Sequence, residues 1–203
     1  MKKQILIIDG GNCFNSHEEY VQSLSEMKFD INRIDTSRKK WSWGLYEKLG
    51  KIFDVYRTKM PCDNNAKYSE WKIYFEKIVP FLKDEVVLIG HSLGGIFLSK
   101  YLSENDFPVS IGATFLIAPP FDEKDCDYSL GDFVLPESLK KFEDQCENIF
   151  IYFSKDDPVV PFTDLKKYMD ALPSAKKVVF EDKGHFNMEE FPEIVEKIKE
   201  VVN

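Results

Sequence analysis

The sequence predicts an α/β protein, a three-layer α/β/α sandwich built on a mainly parallel sheet of about six strands. Three observations carry that expectation. Short runs of Val, Ile, Leu and Phe recur along the chain, and helix-like stretches separate them. The runs are also apolar almost throughout, as in strands covered on both faces. In order they are QILIID at 4–9, KIFDVYR at 51–57, EVVLIG at 85–90, IGATFLIA at 111–118, NIFIYFS at 148–154 and AKKVVFE at 175–181. A Gly, Pro or Asp signal follows each, and the second run is the most ambiguous as a strand. Helical patterns lie between them at Glu18–Met27, Tyr68–Leu82, Leu93–Leu102, Leu165–Leu172 and Pro192–Val201.

Two regions break the alternation. RKKWSWGLYEKLG, at 38–50, gathers two tryptophans and a tyrosine near a glycine. The long, acidic and aromatic stretch from Pro119 to Cys146 sits between two strands, and residues 121–144 are expected to form a cap over a pocket at the strand ends. No repeat, low-complexity tract or linker divides the chain, so residues 1–203 read as one domain.

Composition narrows the function classes. With 43% hydrophobic and 31% charged residues, the chain has the make-up of an ordinary soluble globular protein. A net charge of −8 argues against nucleic acid, whose phosphates call for a basic surface, and gives no reason to sit on an anionic membrane. The RKK at 38–40 reads as solvated loop. Cys13, Cys62, Cys126 and Cys146 form no CxxC pair, and the apolar run Ile5–Ile8 is too short for a signal peptide. Free thiols in a reducing cytoplasm are the expectation, with no metal and no cofactor.

The chemistry starts at Gly90-His91-Ser92-Leu93-Gly94, which fits G-x-S-x-G. Residue frequencies alone produce that pattern by accident in about 5–10% of chains this long. Its context says more. A strand precedes it and an amphipathic helix follows, so Ser92 falls on a sharp strand-to-helix turn beside a helix N-terminus. A serine hydroxyl needs a base. His91 is adjacent and points elsewhere on such a turn, and His17 lies in or near the first helix, where it is structural or exposed. His185, in EDKGHFNMEE, follows the last strand, where parallel sheets place their reactive groups. Asp156 and Asp157 follow the fifth strand, in FIYFSKDDPVVPF. Pro158 restrains Asp157 toward an extended conformation and so favours it as the carboxylate that orients His185, with Asp156 as the fallback. The order Ser, Asp, His along the chain, each after a successive strand, predicts a serine hydrolase triad. Donors for an oxyanion are expected from the backbone N–H of Leu93 and from the glycine loop after the first strand, at Gly11 or Asn12, with Gly11 favoured.

At these motifs the chain resembles the α/β-hydrolase superfamily, and within it the small single-domain serine hydrolases of the YdeN and retinoblastoma-binding protein nine type. The resemblance runs over nearly the whole length and rests on GHSLGG, SKDDPVVPF and KGHF. It implies Asp157 as the triad acid, His185 as the base and a trimmed core in which QILIID precedes the oxyanion loop. Many such relatives carry His-Gly after that strand, where this sequence has Asp9-Gly10-Gly11-Asn12. The expected activity is cleavage of a small carboxylic ester or acyl substrate, with Phe14, Trp41, Trp43, Phe121 and Tyr128 as candidate pocket aromatics. A binding protein that keeps the fold without turnover, and an acyltransferase or thioesterase using the same serine, are the alternatives.

Overall fold

Six strands form a single sheet in which every neighbouring pair is parallel: β1 (Gln4–Ile8), β2 (Asp54–Thr58), β3 (Val86–His91), β4 (Ile111–Ile117), β5 (Ile149–Ser154) and β6 (Lys176–Phe180). Their order across the sheet is β2-β1-β3-β4-β5-β6, so the chain reverses its direction of travel between β1 and β3. The computed structural model describes residues 2–28, 40–124, 126 and 128–202. Arg38 and Lys39 of the basic stretch, and Asp125 and Asp127 of the expected cap, lie outside the described residues.

The apolar runs become strands because both sides of the sheet are covered. Ile5 and Ile7 face one layer, made of α2 (Trp41–Leu49) and α7 (Pro192–Val202), where they pack with Leu45, Leu49, Ile194 and Ile198. Leu6 and Ile8 face the other layer, made of α3 (Tyr68–Ile78), α4 (Leu93–Glu104), α5 (Lys140–Asp144) and α6 (Thr163–Ala171). Every residue of β1, β3 and β5 is buried, and each large apolar side chain so placed contributes about 1.5–3 kcal/mol. The edge strands are half-exposed, which is why the apolar signal of β2 is weak in the sequence.

The two regions that break the alternation each supply a helix whose bounds the sequence did not mark. The Trp-rich stretch forms α2, with Gly44 at a position where a side chain would meet open space. The stretch at 121–144 supplies the five-residue α5. The first helix, α1 (His17–Glu26), is capped by Ser16, whose hydroxyl accepts the Glu19 N–H at 3.1 Å, and it buries none of its own side chains.

Candidate active site

Ser92 stands between β3 and α4 with φ 53° and ψ −121°, a conformation that L-residues rarely adopt. The Ser92 N–H donates to the Ile117 carbonyl at 2.8 Å, and its own carbonyl accepts the Gly95 N–H at 2.8 Å, so the turn is held from both sides. Glycine is required around it by close approach. A Cβ on Gly90 would lie 2.5 Å from the Gly94 carbonyl oxygen, and one on Gly94 would strike the Ile8 carbonyl.

The structure brings Ser92, His185 and Asp157 together from the carboxyl ends of β3, β6 and β5. His185 Nε2 lies 2.9 Å from Ser92 Oγ, and its Nδ1 lies 2.8 Å from Asp157 Oδ2. The Asp157 side chain is fully buried, and its Oδ1 accepts the N–H groups of Val159 at 2.8 Å and Val160 at 3.0 Å. Those bonds orient the carboxylate from within its own turn. Because Asp157 Oδ2 accepts, Nδ1 carries the hydrogen and Nε2 presents a lone pair to the serine hydroxyl.

Asp156 does something different from its neighbour. Its carboxylate accepts the Ser154 hydroxyl at 2.5 Å and the Gly184 N–H at 2.8 Å, while Ser154 Oγ accepts the Lys183 N–H at 2.9 Å. This ties the end of β5 to the loop that carries His185. The same hydrogen bonds hold the Asp156 carboxyl below the usual range.

His91, adjacent to Ser92 in sequence, is 4% exposed and borders the cleft beside His185. Its Nε2 lies 2.9 Å from the His185 carbonyl oxygen, which can only accept, so that nitrogen carries the hydrogen. Burial, and then the neighbouring His185, push its pKa down to about 4. Trp41 packs edge-on to His91 and donates its indole N–H to the Phe186 carbonyl at 2.9 Å. Two buried donors thus hold consecutive carbonyls of the His185 loop, and neither partner is near in sequence.

A cleft of about 600 Å³ opens over Ser92. The loop after β1 forms one side, and a Cβ on Gly10 would lie 2.9 Å from Ser92 Cβ. The Asn12 N–H is engaged with the Asp63 carbonyl at 2.8 Å, which leaves Gly11 of the two loop donors considered. Leu93 opens α4, so its N–H has no carbonyl within the helix to bond. Of the candidate aromatics, Phe14 and Tyr128 line the cleft. Trp41 is buried behind His91, Trp43 lies exposed under the Arg57 guanidinium, and Phe121 packs on Tyr168. Cys13 also lines the cleft. Burial raises its thiol to about 12 and its S–H donates to the Ser129 carbonyl, so it stays protonated.

The far wall comes from the stretch expected as a cap. Pro120, Tyr128, Ser129 and Leu130 line the cleft, and Cys13 and Ser129 form an antiparallel bridge between this stretch and the β1 loop. Asp132 accepts the N–H groups of Tyr68 at 2.7 Å and Ser69 at 3.1 Å, capping α3 from 64 residues away. Among the described residues, no group of three or more His, Cys, Asp or Glu side chains is arranged to hold a metal ion, and no helix is long and apolar enough to cross a membrane.

Comparison with known proteins places the family and the fold. Residues 35–202 match the serine hydrolase family. The chain belongs to that family. It is 27% identical over 170 residues to the serine hydrolase RBBP9 of Rattus norvegicus, spanning 83% of this chain and 89% of that one. The ydeN gene product of Bacillus subtilis superposes with a TM-score of 0.76 over 98% of both chains at 18% identity. A YdeN-like hydrolase from Pectobacterium atrosepticum gives 0.68 over 99% of this chain and 91% of its own, at 15% identity. The chain is a serine hydrolase with the α/β-hydrolase fold.

Proposed function

We propose that this hydrolase cleaves small carboxylic esters through an acyl-enzyme on Ser92, using Ser92, His185 and Asp157 as a catalytic triad. The observation that carries the reading is the unbroken hydrogen-bonded chain from Ser92 Oγ through the His185 ring to Asp157, opening into the cleft. Ser92 Oγ attacks the ester carbonyl as His185 Nε2 takes its proton. Charge developing on the carbonyl oxygen is met by the N–H groups of Leu93 and Gly11. His185 then protonates the departing alkoxide, and the alcohol leaves. Water attacks the acyl-enzyme with His185 again as base, and the carboxylic acid and free Ser92 are restored. Asp157 holds the ring in the required tautomer and offsets the imidazolium charge. No step calls for a metal or cofactor. Four free cysteines suit the same reading of an enzyme at work in the reducing cytoplasm.

The test is direct. Ser92→Ala is expected to keep the fold and lower kcat/KM on an activated short-chain ester by on the order of 10³-fold or more. A fluorophosphonate probe is expected to label Ser92 alone, with labelling lost in Ser92→Ala and greatly slowed in His185→Ala. Undiminished turnover in the serine variant would overturn the assignment.

A further inference from the structure

The two edges of the sheet are finished differently. At one edge β6 presents Lys176 and Lys177, the kind of charged surface that discourages another strand from pairing. At the other edge β2 has no neighbour beyond it among the described residues. All five exposed aromatic side chains among the described residues, Trp43, Tyr46, Tyr56, Tyr74 and Phe81, lie on β2, on α2 and α3 packed beside it, or on the turn after α3. Tyr56, Tyr74 and Phe81 wall a groove of about 480 Å³ along the α3 side of the strand, floored by Gln4 and Leu6. Aromatic side chains are enriched in protein–protein interfaces, and this cluster adjoins an open strand.

We propose that a second copy of this chain docks on β2, strand to strand and antiparallel, about a two-fold axis through Tyr56. The strand's hydrogen-bonding geometry is self-complementary about such an axis. The Asp54 N–H points inward to the Lys3 carbonyl at 2.9 Å, so alternation turns the N–H and C=O groups of Val55 and Arg57 outward. Centring the axis on Tyr56 pairs Val55 of each copy with Arg57 of the other in the close, doubly hydrogen-bonded geometry. That gives four backbone bonds and uses all five residues of the strand. Tyr56 then meets its own counterpart on the α3 face, with both rings at the mouths of the two grooves. Asp54 faces Thr58, and no like charges stand directly opposite. An axis at Arg57 would set two guanidiniums against each other, and an axis at Val55 would pair only the first three residues of the strand. The Arg57 side chain is already engaged, its Nε 2.6 Å from Asp9 Oδ2 and its guanidinium over Trp43. It therefore enters the contact with its charge balanced.

Light scattering on the full chain at micromolar concentration tests this. The expected mass is twice the 23.7 kDa of one chain, and a monomer overturns the proposal. Val55→Pro removes an outward N–H that the β1 ladder does not use, and Tyr56→Lys puts two charges on the axis; both are expected to give folded monomers, judged by circular dichroism. Val179→Lys on the opposite edge is expected to leave the dimer intact. The register has its own readout. In a Cys62→Ser background, Tyr56→Cys is expected to form an intermolecular disulfide on mild oxidation, because directly opposed residues in a non-hydrogen-bonded pair stand about 4.5 Å apart at Cα. Asp54→Cys in the same background is not. A dimer that survives both edge variants, or one in which position 56 fails to cross-link, overturns it.

Discussion

On one wall of the cleft, the side chains of the proposed triad sit at strand ends, and the turns that carry Asp157 and His185 are closed by bonds made within a few residues, with His91 and Trp41 bracing the His185 loop from behind. Asp157 is fixed by the N–H groups of Val159 and Val160, and the Phe186 N–H returns to the Lys183 carbonyl beside His185. The opposite wall is held by contacts that span the chain. Cys13 reaches Ser129 across 116 residues, Ser129 Oγ reaches Asn15 across 114, and Asp132 caps α3 across 64. The first wall carries the proposed chemistry, whereas the second shapes what enters. The difference makes kcat and KM separable by position.

The largest expected effect falls on the first wall. Asp157→Asn should lower kcat on the order of 10³- to 10⁴-fold with KM little changed, because an amide N–H aimed at Nδ1 favours the wrong tautomer of His185. Steady-state kinetics would break the comparison if KM collapsed in step.

Next comes a stability effect behind that wall. The folded pKa of His91 is about 4, below the usual 6.5, so between those values the unfolded chain binds a proton that the native protein refuses. Stability contributed by this group is fully present above pH 6.5 and is lost as pH falls toward 4, by about 3 kcal/mol. The groups acting on it are His185, Asp9 and Lys40, with Trp41 packed alongside. Urea midpoints from pH 7 to 4.5 should fall less steeply in His91→Gln than in the wild type; parallel curves would refute the assignment.

A smaller effect separates shape from hydrogen bonding at the same residue. His91→Phe leaves the His185 carbonyl without its donor and should cost about tenfold in kcat, an energy of ~1.4 kcal/mol, whereas the amide of His91→Gln restores most of it. Equal losses in the two variants would make His91 a packing residue alone.

The smallest effect belongs to the far wall. Asp132→Ala removes the cap of α3 and should lower stability by about 1 kcal/mol in a thermal or urea melt. KM should rise while kcat stays within about twofold. A kcat loss as large as that of Asp157→Asn would mean that the two walls act as one.

Strand positions, and the three side chains that meet over the cleft, could be read in the sequence because they obey local rules. Buried parallel strands are apolar on both faces, and the groups at their ends follow at short, fixed spacing, as Ser92 follows Val86–His91. What escaped is what depends on distant partners. Nothing beside His91 announces a bond to a carbonyl 94 residues later, and nothing near Lys67 announces that α3 takes its cap from Asp132. Helix α2 was obscured by Gly44 and by aromatics divided between core and solvent, with Trp41 buried and Trp43 and Tyr46 exposed. The Asn12 N–H was a fair candidate donor until the Asp63 carbonyl was seen to occupy it.

The backbone at Ser92 carries one more consequence. A serine held at φ 53° stores strain of about 1–3 kcal/mol, which glycine in the same place would relieve. Ser92→Gly relieves that strain and, under the proposed chemistry, gives up the nucleophile with it. Thermal endurance and turnover then pull on this one position in opposite directions.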